Sequence, residues 1–294
     1  SMGGSQVYLE PYEKQTVETL LKCIAVASAN DACVAMAEHI SGSEGDFVKL
    51  MNARAEELGM SNTHFVNCCG LDAEEHLTTA RDVALMSREL LRNHPQIHEY
   101  CTIWMENITH QTARGSFEFG LTNTNKLIRQ YEYATGLKTG YTSVAGFCVS
   151  ASAKKENIEL VAVIMGGADS KSRFQDAVTL LNSGFACCSL YTDENRAALP
   201  KIPVKGGVEG QVGLQYADEF SYVSTDGSNL SQVERLPKLP EEVTAPVEKG
   251  DRIGSMVYVL NGREIGSTEL LAADTVERAA YGDYIGQVFR IFLL

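Results

Sequence analysis

The chain has 294 residues, 44% of them hydrophobic, which provides enough apolar sequence for a substantial core and enough length for two domains. Its formal net charge of -13 excludes the Lys/Arg surface that nucleic-acid binding needs, so no nucleic-acid partner is expected. The sequence has neither a signal peptide nor an apolar run of about 18 residues, and taken alone this favours a soluble cytoplasmic protein.

The first third of the chain carries four stretches with the apolar spacing of amphipathic helices. The apolar face of the first stretch leads directly into the triplet Ser-Ala-Asn at residues 28–30. Asp31 is predicted to be the N-cap of the second helix, over residues 32–40. In the third and fourth helices, an aspartate follows three residues after a serine or threonine, which is typical of a capping box. The predicted helix starts are Thr16, Asp31, Ser43 and Thr79.

The middle of the chain changes to strand-like patterns from about Cys101 onward. Apolar runs at residues 144–153 and 158–165 are joined by four polar residues, and they predict an antiparallel hairpin in a core sheet. Another helix with an apolar inner face is predicted from Ser170. Helices before and after a sheet indicate an α+β domain, which we assign to residues 1–192.

The last part of the chain has a different composition. Five of the seven prolines lie at or after Pro200, and glycine-containing turn signals separate short β-prone runs. The clearest hairpin joins residues 256–260 to 264–271 through an Asn-Gly turn. These features predict a smaller all-β domain over residues 193–280. Residues 281–294 are apolar enough to begin an interfacial membrane helix, although packing on the β domain is an equally good interpretation.

The eight cysteines form no C-x-x-C pair, and most of them lie in apolar stretches. We predict free, buried thiols, with a disulfide from Cys68 or Cys69 to another loop as the alternative. His94 and His98 are four residues apart, but Pro95 between them breaks the helix that would bring both to one face. We therefore predict neither a metal ion nor a cofactor.

The triplet Lys138-Thr139-Gly140 stands just before an apolar stretch that predicts a buried strand. A strand edge presenting an amine and a hydroxyl, with a glycine that lets a second backbone come close, is suited to hold a substrate carboxylate. Alone, this triplet is more typical of a loop. Together with Ser28-Ala29-Asn30 at a helix junction, it matches two of the three motifs of penicillin-recognising serine acyl-transferases, in the same order.

Longer stretches make the resemblance more specific. The segments ASANDACVAMAEHISGS, LGMSNTHFVNCCGL, TNTNKL, GLKTGYTSVAGFCVSASA and MGGADSKSRFQDAVTLLNSGF resemble the low-molecular-mass D-alanyl-D-alanine carboxypeptidases of bacterial cell-wall metabolism. The resemblance covers nearly all of Gly3 to Phe185 and implies an α+β, penicillin-binding and β-lactamase-like fold. The β-rich remainder resembles the domain that follows in this family, where a terminal amphipathic helix commonly anchors the enzyme to the outer face of the plasma membrane.

The resemblance implies a substrate-binding role for five residues. A peptide ending in D-Ala-D-Ala offers a C-terminal carboxylate, which Thr139 would hold together with Lys138 and Arg173. Gly140 would complete the triplet, and the backbone N–H of Tyr141 would donate to the oxyanion. Without the resemblance, Arg173 is more simply interpreted as a surface residue of a helix.

The resemblance also implies catalytic roles for Ser28, Asn30 and Lys138. Ser28 would relay a proton to the leaving D-Ala nitrogen, and Asn30 would bind the substrate amide and the neighbouring catalytic lysine. Considered alone, Ser28 is typical of a helix C-terminal turn and Asn30 of a helix cap.

The family's first motif, S-x-x-K, carries the nucleophilic serine and its activating lysine. Its only literal match lies at residues 152–155, at the end of a predicted core strand, and we reject it because a nucleophile here needs a helix start that faces Lys138. We therefore expect the motif upstream of the segment GGSQVYLEP and expect residues 1–294 alone to bind a peptide or β-lactam without being acylated. A missing start would also hide an export signal, so we expect an extracytoplasmic bacterial protein that is membrane-associated or secreted.

Three functions are compatible with these motifs. We favour a serine-type D-Ala-D-Ala carboxypeptidase that removes the terminal D-Ala from peptidoglycan stem peptides through an acyl-enzyme, which β-lactams would trap. The alternative from another class is a non-catalytic peptidoglycan-peptide-binding protein on the same scaffold. A β-lactamase is less favoured, because the β-rich second domain and the TNTNKL segment are carboxypeptidase-like.

Overall fold

A computed structural model describes residues 3–194 and 196–283 of the chain. The chain divides into two compact units, Ser1–Ala186 and Cys187–Leu294. Over the two described ranges, every helix is too short or too polar to cross a membrane. Most of the predicted membrane-anchoring segment, residues 284–294, lies outside the described residues.

The first unit begins with four helices joined by short loops. Three predicted helix starts are confirmed, because the side-chain oxygens of Thr16, Ser43 and Thr79 each accept the backbone N–H three residues ahead. The four helices are α1 (Val17–Ala27), α2 (Asn30–Ser41), α3 (Glu44–Glu57) and α4 (Ala80–Asn93).

The predicted start of the second helix is wrong. Helix α2 begins at Asn30, and Asp31 therefore lies in its first turn. The Asp31 carboxylate accepts the backbone N–H groups of Val7 and Leu9 at 3.2 and 3.0 Å. Asp31 thus ties the extended segment at residues 6–10 to α2 as well as bonding the N–H of Ala32.

The strand-rich middle of this unit forms two antiparallel sheets. One is a hairpin, and the other has three strands in the order β3-β4-β5, in which the predicted hairpin is confirmed as β4 and β5. Two short helices that periodicity did not predict precede these sheets and separate them. The elements are α5 (Ile97–Cys101), β1 (Met105–Thr112), β2 (Gly115–Thr122), α6 (Leu127–Gln130), β3 (Ala134–Thr142), β4 (Gly146–Lys155) and β5 (Ile158–Gly167).

Helix α7 (Ser170–Cys187) covers the three-stranded sheet, as its apolar face predicts. Its inner face buries Phe174, Ala177 and Leu181 against Val149 and Ala151 of β4. Burial of this apolar surface holds β3 in place, because β3 is paired with β4 along its length. The two site motifs are therefore carried by the α1–α2 junction and by strand β3.

The second unit is built of short strands. The predicted Asn-Gly hairpin is confirmed as β13 and β14, and Asn261 and Gly262 both have positive φ, as a two-residue hairpin turn requires. These two strands belong to a four-stranded sheet in the order β11-β13-β14-β9. The strands are β6 (Ser189–Thr192), β7 (Ile202–Lys205), β8 (Gln211–Val212), β9 (Leu214–Tyr216), β10 (Ser221–Ser224), β11 (Glu234–Lys238), β12 (Val243–Thr244), β13 (Arg252–Leu260) and β14 (Arg263–Ala272).

All eight cysteines are free thiols, so the alternative of a disulfide from Cys68 or Cys69 is not observed. Burial is confirmed for Cys23 and Cys101. It is wrong for Cys187, which lies at the end of α7 and is exposed. The other five are partly buried.

Candidate active site

The two predicted motifs meet at one cavity of about 440 Å³ in the first unit. Helix ends and loops form one wall of this cavity, and strand β3 forms another. All seven predicted site residues line it, namely Ser28, Asn30, Lys138, Thr139, Gly140, Tyr141 and Arg173.

Ser28 is presented by the turn that ends α1. It is the C-cap residue and has a left-handed conformation with a φ of 59°. The Nζ atom of Lys138 donates a hydrogen bond of 2.7 Å to Ser28 Oγ, although the two residues are 110 positions apart in the chain. Lys138 Nζ also donates to the backbone oxygen of Thr139 at 2.9 Å. The amine and the hydroxyl are therefore in direct contact at the cavity wall.

Burial lowers the pKa of Lys138 from its ordinary value of 10.5 to about 8. The positive charge of Arg173 acts in the same direction, while Cys33 and Cys101 oppose the shift. An amine with a pKa close to neutral pH can give up and regain a proton at little cost. Lys138 is therefore suited to proton transfer as well as to binding an anion.

Asn30 is held by the segment at the start of the chain. Its backbone N–H donates to the oxygen of Ser5 at 2.8 Å, and its side-chain Nδ2 donates to the oxygen of Gly3 at 2.6 Å. Gly4 has a φ of 76°, and a Cβ atom on it would lie 2.7 Å from Asn30 Nδ2. Only glycine fits there, a contribution to the site that sequence reasoning missed.

Thr139 is buried, and its hydroxyl is 2.7 Å from the hydroxyl of Thr124. Thr124 also lines the cavity. Sequence reasoning missed Thr124 as a site residue, although the TNTNKL segment that contains it was part of the family resemblance. A single hydroxyl residue in a loop carries no signal of its own.

The expected role of Gly140, to let a second backbone come close at the substrate site, stays a prediction. Gly140 pairs with Cys148 in the regular register of β3 and β4, and an added Cβ atom would lie 4.0 Å from the Cβ of Cys148. That is an ordinary contact, so no close approach between these strands requires a glycine. Tyr141 follows with a side chain that is 60% exposed and a ring 4.4 Å from that of Phe147.

Arg173 lies in the first turns of α7 and is buried, so its interpretation as a surface residue is wrong. Its Nη1 atom donates to the backbone oxygens of Gly140 and Cys148 at 3.0 and 3.1 Å. The guanidinium carbon is 4.7 Å from the ring centroid of Phe174. These contacts fix a positive charge behind the end of β3, at the cavity wall.

The S-x-x-K match at residues 152–155 is not at this cavity. Ser152 is fully buried within β4, and its hydroxyl is 2.8 Å from that of Thr135. A fully buried hydroxyl cannot reach a bound substrate. The structure therefore agrees with the rejection of this match.

Comparison with known proteins identifies what this architecture is similar to. Residues 1–169 match the peptidase S11 family, described as D-alanyl-D-alanine carboxypeptidase, and residues 192–278 match the C-terminal domain of penicillin-binding protein 5. The chain is 37% identical over 282 residues to the D-alanyl-D-alanine carboxypeptidase DacF of Bacillus subtilis, covering 96% of this chain and 72% of that protein.

Solved structures agree with these sequence matches. Penicillin-binding protein 5 of Haemophilus influenzae superimposes with a TM-score of 0.68 at 30% identity, covering 94% of this chain and 78% of the other. Penicillin-binding protein D2 of Listeria monocytogenes, solved in a cefotaxime-bound form, superimposes with a TM-score of 0.51 at 32% identity. That match covers 58% of this chain and 67% of the other.

Proposed function

Because this chain belongs to the peptidase S11 family of D-alanyl-D-alanine carboxypeptidases, we propose that the cavity bearing Ser28 and Lys138 is its substrate site. The protein is a serine-type D-Ala-D-Ala carboxypeptidase of peptidoglycan metabolism, and it binds peptidoglycan peptides and β-lactams. The observation that carries the site assignment is the 2.7 Å hydrogen bond from Lys138 Nζ to Ser28 Oγ.

Ser28 and Lys138 would act together on the leaving group. The Lys138 ammonium donates to Ser28 Oγ, which leaves the hydrogen of the Ser28 hydroxyl free to point at the nitrogen of the terminal D-Ala. When the bond to that nitrogen breaks, Ser28 gives it a proton and takes one from Lys138. The pKa of about 8 makes this transfer inexpensive for Lys138.

The end of β3 would recognise the substrate carboxylate. Thr139 offers a hydroxyl, Lys138 an ammonium group and Arg173 a fixed positive charge, all at one wall of the cavity. This arrangement favours a peptide with a free C-terminal carboxylate over an internal peptide bond, because neither cation forms an ion pair with a carboxylate of the described residues. Burial makes the unneutralised charge of Arg173 costly, and this cost lowers the pKa of its guanidinium group.

The remaining site residues would orient the reacting carbonyl. The Nδ2 atom of Asn30 donates one of its two N–H groups to Gly3, so its other N–H and its Oδ1 remain to bind the substrate amide. The backbone N–H of Tyr141 would donate to the oxyanion of the tetrahedral intermediate. One such donor contributes roughly 3 to 4 kcal/mol in comparable acyl-transfer enzymes.

The nucleophile would come from an S-x-x-K segment placed ahead of Gly3, because the only literal S-x-x-K match within the 294 residues contains the buried Ser152. We expect protein that carries this segment to be labelled stoichiometrically by a fluorescent penicillin and to release D-Ala from a D-Ala-D-Ala peptide. Residues 1–294 alone are expected to remain unlabelled. Gel fluorescence, intact-protein mass and D-Ala release measure these outcomes.

Two results would contradict the proposed function. Stoichiometric labelling of residues 1–294 alone would show that the nucleophile lies within them, contrary to our assignment. If the protein with the segment binds the peptide but is neither labelled nor hydrolytic, the non-catalytic peptide-binding function replaces the enzyme.

We further infer that the enzyme works outside the cytoplasmic membrane, attached to it through residues 281–294. Support comes from the sequence alone, since these residues contain an apolar run that ends in Ile-Phe-Leu-Leu. Residues 1–294 are expected to co-sediment with vesicles of phosphatidylglycerol and phosphatidylethanolamine, whereas residues 1–280 are not. Equal sedimentation of the two proteins, or none for either, would exclude this attachment.

A further inference from the structure

Two cysteines and one glutamate cluster beside the cavity without any role in the proposed reaction. The ligand-type atoms of Glu44, Cys68 and Cys69 all lie within 4.8 Å of one another. Cys33 is a neighbour of Cys69 but lies outside this group of three. Glu44 comes from the start of α3, Cys33 from α2, and the other two from the loop between α3 and α4.

The spacing of the two adjacent thiols is the most informative distance in this cluster. Cys68 Sγ and Cys69 Sγ are 3.7 Å apart. Two sulfurs bound to one tetrahedral zinc ion, each at about 2.3 Å, are roughly 3.8 Å apart. A disulfide requires about 2.05 Å. The two sulfurs are therefore already separated as in a tetrahedral thiolate site and far from bonding distance.

From this geometry we propose that Cys68, Cys69 and Glu44 bind a thiophilic divalent ion such as Zn²⁺. Two thiolates and one carboxylate form a donor set that suits zinc and disfavours calcium or magnesium, which prefer oxygen ligands. On binding, each thiol loses a proton to solvent and its sulfur donates an electron pair to the ion. No oxidation or reduction is involved.

The loop that carries the two cysteines is held in shape before any ion binds. Asn67 Oδ1 accepts the backbone N–H groups of Cys69, Gly70 and Leu71 at 3.2, 2.8 and 3.1 Å. Asn67 Nδ2 also donates to the oxygen of Leu71 at 2.9 Å. Because the backbone is already ordered, binding an ion costs little conformational entropy.

Glu44 is oriented toward the same point. Its Oε1 atom accepts the backbone N–H of Cys68 at 3.1 Å, which fixes the carboxylate beside the loop. Burial raises the pKa of the Cys33 thiol to about 12 and also raises those of Cys68 and Cys69, so without an ion the thiols are protonated. A bound ion would compensate the negative charge of the thiolates that form when these thiols lose their protons.

The position of this site connects it to the cavity. Cys69 lines the cavity, and its Sγ atom lies 3.4 Å from the backbone oxygen of Asn30. An ion held by Cys69 and Glu44 would link the loop that contains Gly70 and Leu71 to α3. The ion would thus stabilise one wall of the substrate site without contacting the reacting groups.

The test uses reduced residues 1–294, titrated with Co²⁺ as a spectroscopic substitute and then with Zn²⁺. We expect one equivalent to bind, with a thiolate-to-cobalt charge-transfer band and the visible bands of tetrahedral cobalt, and we expect Zn²⁺ to displace it. The double variant C68S/C69S should lose the signal. The single variant E44Q should weaken affinity at least tenfold, the usual size of such effects in metal sites.

C187S is the matched control, because Cys187 is the exposed thiol of the second unit and should not contribute. A second measurement does not depend on folding of the variants: Zn²⁺ should protect Cys68 and Cys69 of the unmutated protein from iodoacetamide while Cys187 still reacts. Unchanged stoichiometry in C68S/C69S, cobalt bound without thiolate bands, or equal alkylation with and without Zn²⁺ would overturn the proposal. This test measures no enzyme activity, so its outcome is independent of the proposed catalytic roles.

Discussion

Replacing Lys138 by methionine is expected to abolish acylation of the enzyme by penicillin, with a loss of at least about 1,000-fold in the labelling rate. Methionine fills a similar volume but cannot donate to Ser28 Oγ, attract a carboxylate or supply a proton. The rate is measured with a fluorescent penicillin on protein that carries the S-x-x-K segment. Labelling at an unchanged rate would remove Lys138 from the site.

The same variant is expected to be more stable than the wild type at neutral pH. Burial puts the pKa of Lys138 at about 8 in the folded state, below its ordinary value of 10.5, so the unfolded chain binds more protons between these two pH values. Folded stability therefore rises with pH across that window, and below pH 8 the buried ammonium carries its full cost of about 3 kcal/mol. Loss of its two hydrogen bonds offsets part of this cost, leaving a net gain of about 1 to 2 kcal/mol.

Denaturant unfolding of residues 1–294 at pH 7 and pH 10.5 checks this gain. The advantage of K138M should be largest at pH 7 and should shrink toward pH 10.5, where the wild-type amine is neutral in the folded state and half deprotonated in the unfolded state. Lower stability of K138M at pH 7 would show that the two hydrogen bonds outweigh the burial cost. Thus one substitution separates the functional and structural contributions of this amine.

Replacing Ser28 by glycine or by alanine is expected to slow acylation and D-Ala release by about 100-fold to 1,000-fold, to a similar extent in both variants. Each removes the hydroxyl that contacts Lys138 Nζ. The two variants differ in the conformational strain of the backbone at residue 28. Ser28 has a φ of 59°, and only glycine adopts that conformation without strain. We therefore expect S28G to be more stable than S28A by about 1 kcal/mol.

This pair of variants distinguishes a proton relay from a turn residue. If Ser28 served only to form the turn after α1, S28G would keep full activity and S28A alone would be impaired. Steady-state release of D-Ala and thermal unfolding of both proteins give the comparison. Equal activity of S28G and wild type would exclude the relay.

The sequence predicted most of the elements on which the site depends. The capping residues Thr16, Ser43 and Thr79 act within three residues of their own backbone, so local pattern was sufficient. Asp31 was predicted wrongly because its carboxylate is used by N–H groups of Val7 and Leu9, which lie more than twenty positions away. Such a choice between local and distant partners cannot be deduced from helix signals.

The site residues also differ in whether a local motif or a distant contact identifies them. Lys138 and Ser28 stood out because each belongs to a motif with fixed spacing and order. Gly4 and Thr124 were missed because their importance comes from a single contact, to Asn30 and Thr139 respectively. The resemblance predicted Arg173 as a site residue and it lines the cavity, but its burial behind β3 became evident only from the structure, in which it bonds to Gly140 and Cys148.

The sequence by itself determined the α+β order of elements, the Asn-Gly hairpin of the second unit and the two motifs, because these features depend on periodicity and near neighbours. Tertiary structure alone decided that Lys138 is partly buried against Ser28, with its pKa lowered to about 8, and that Cys68 and Cys69 lie close to Glu44. Both outcomes depend on which segments, far apart in the sequence, pack together and exclude water. Packing of the whole chain sets that arrangement.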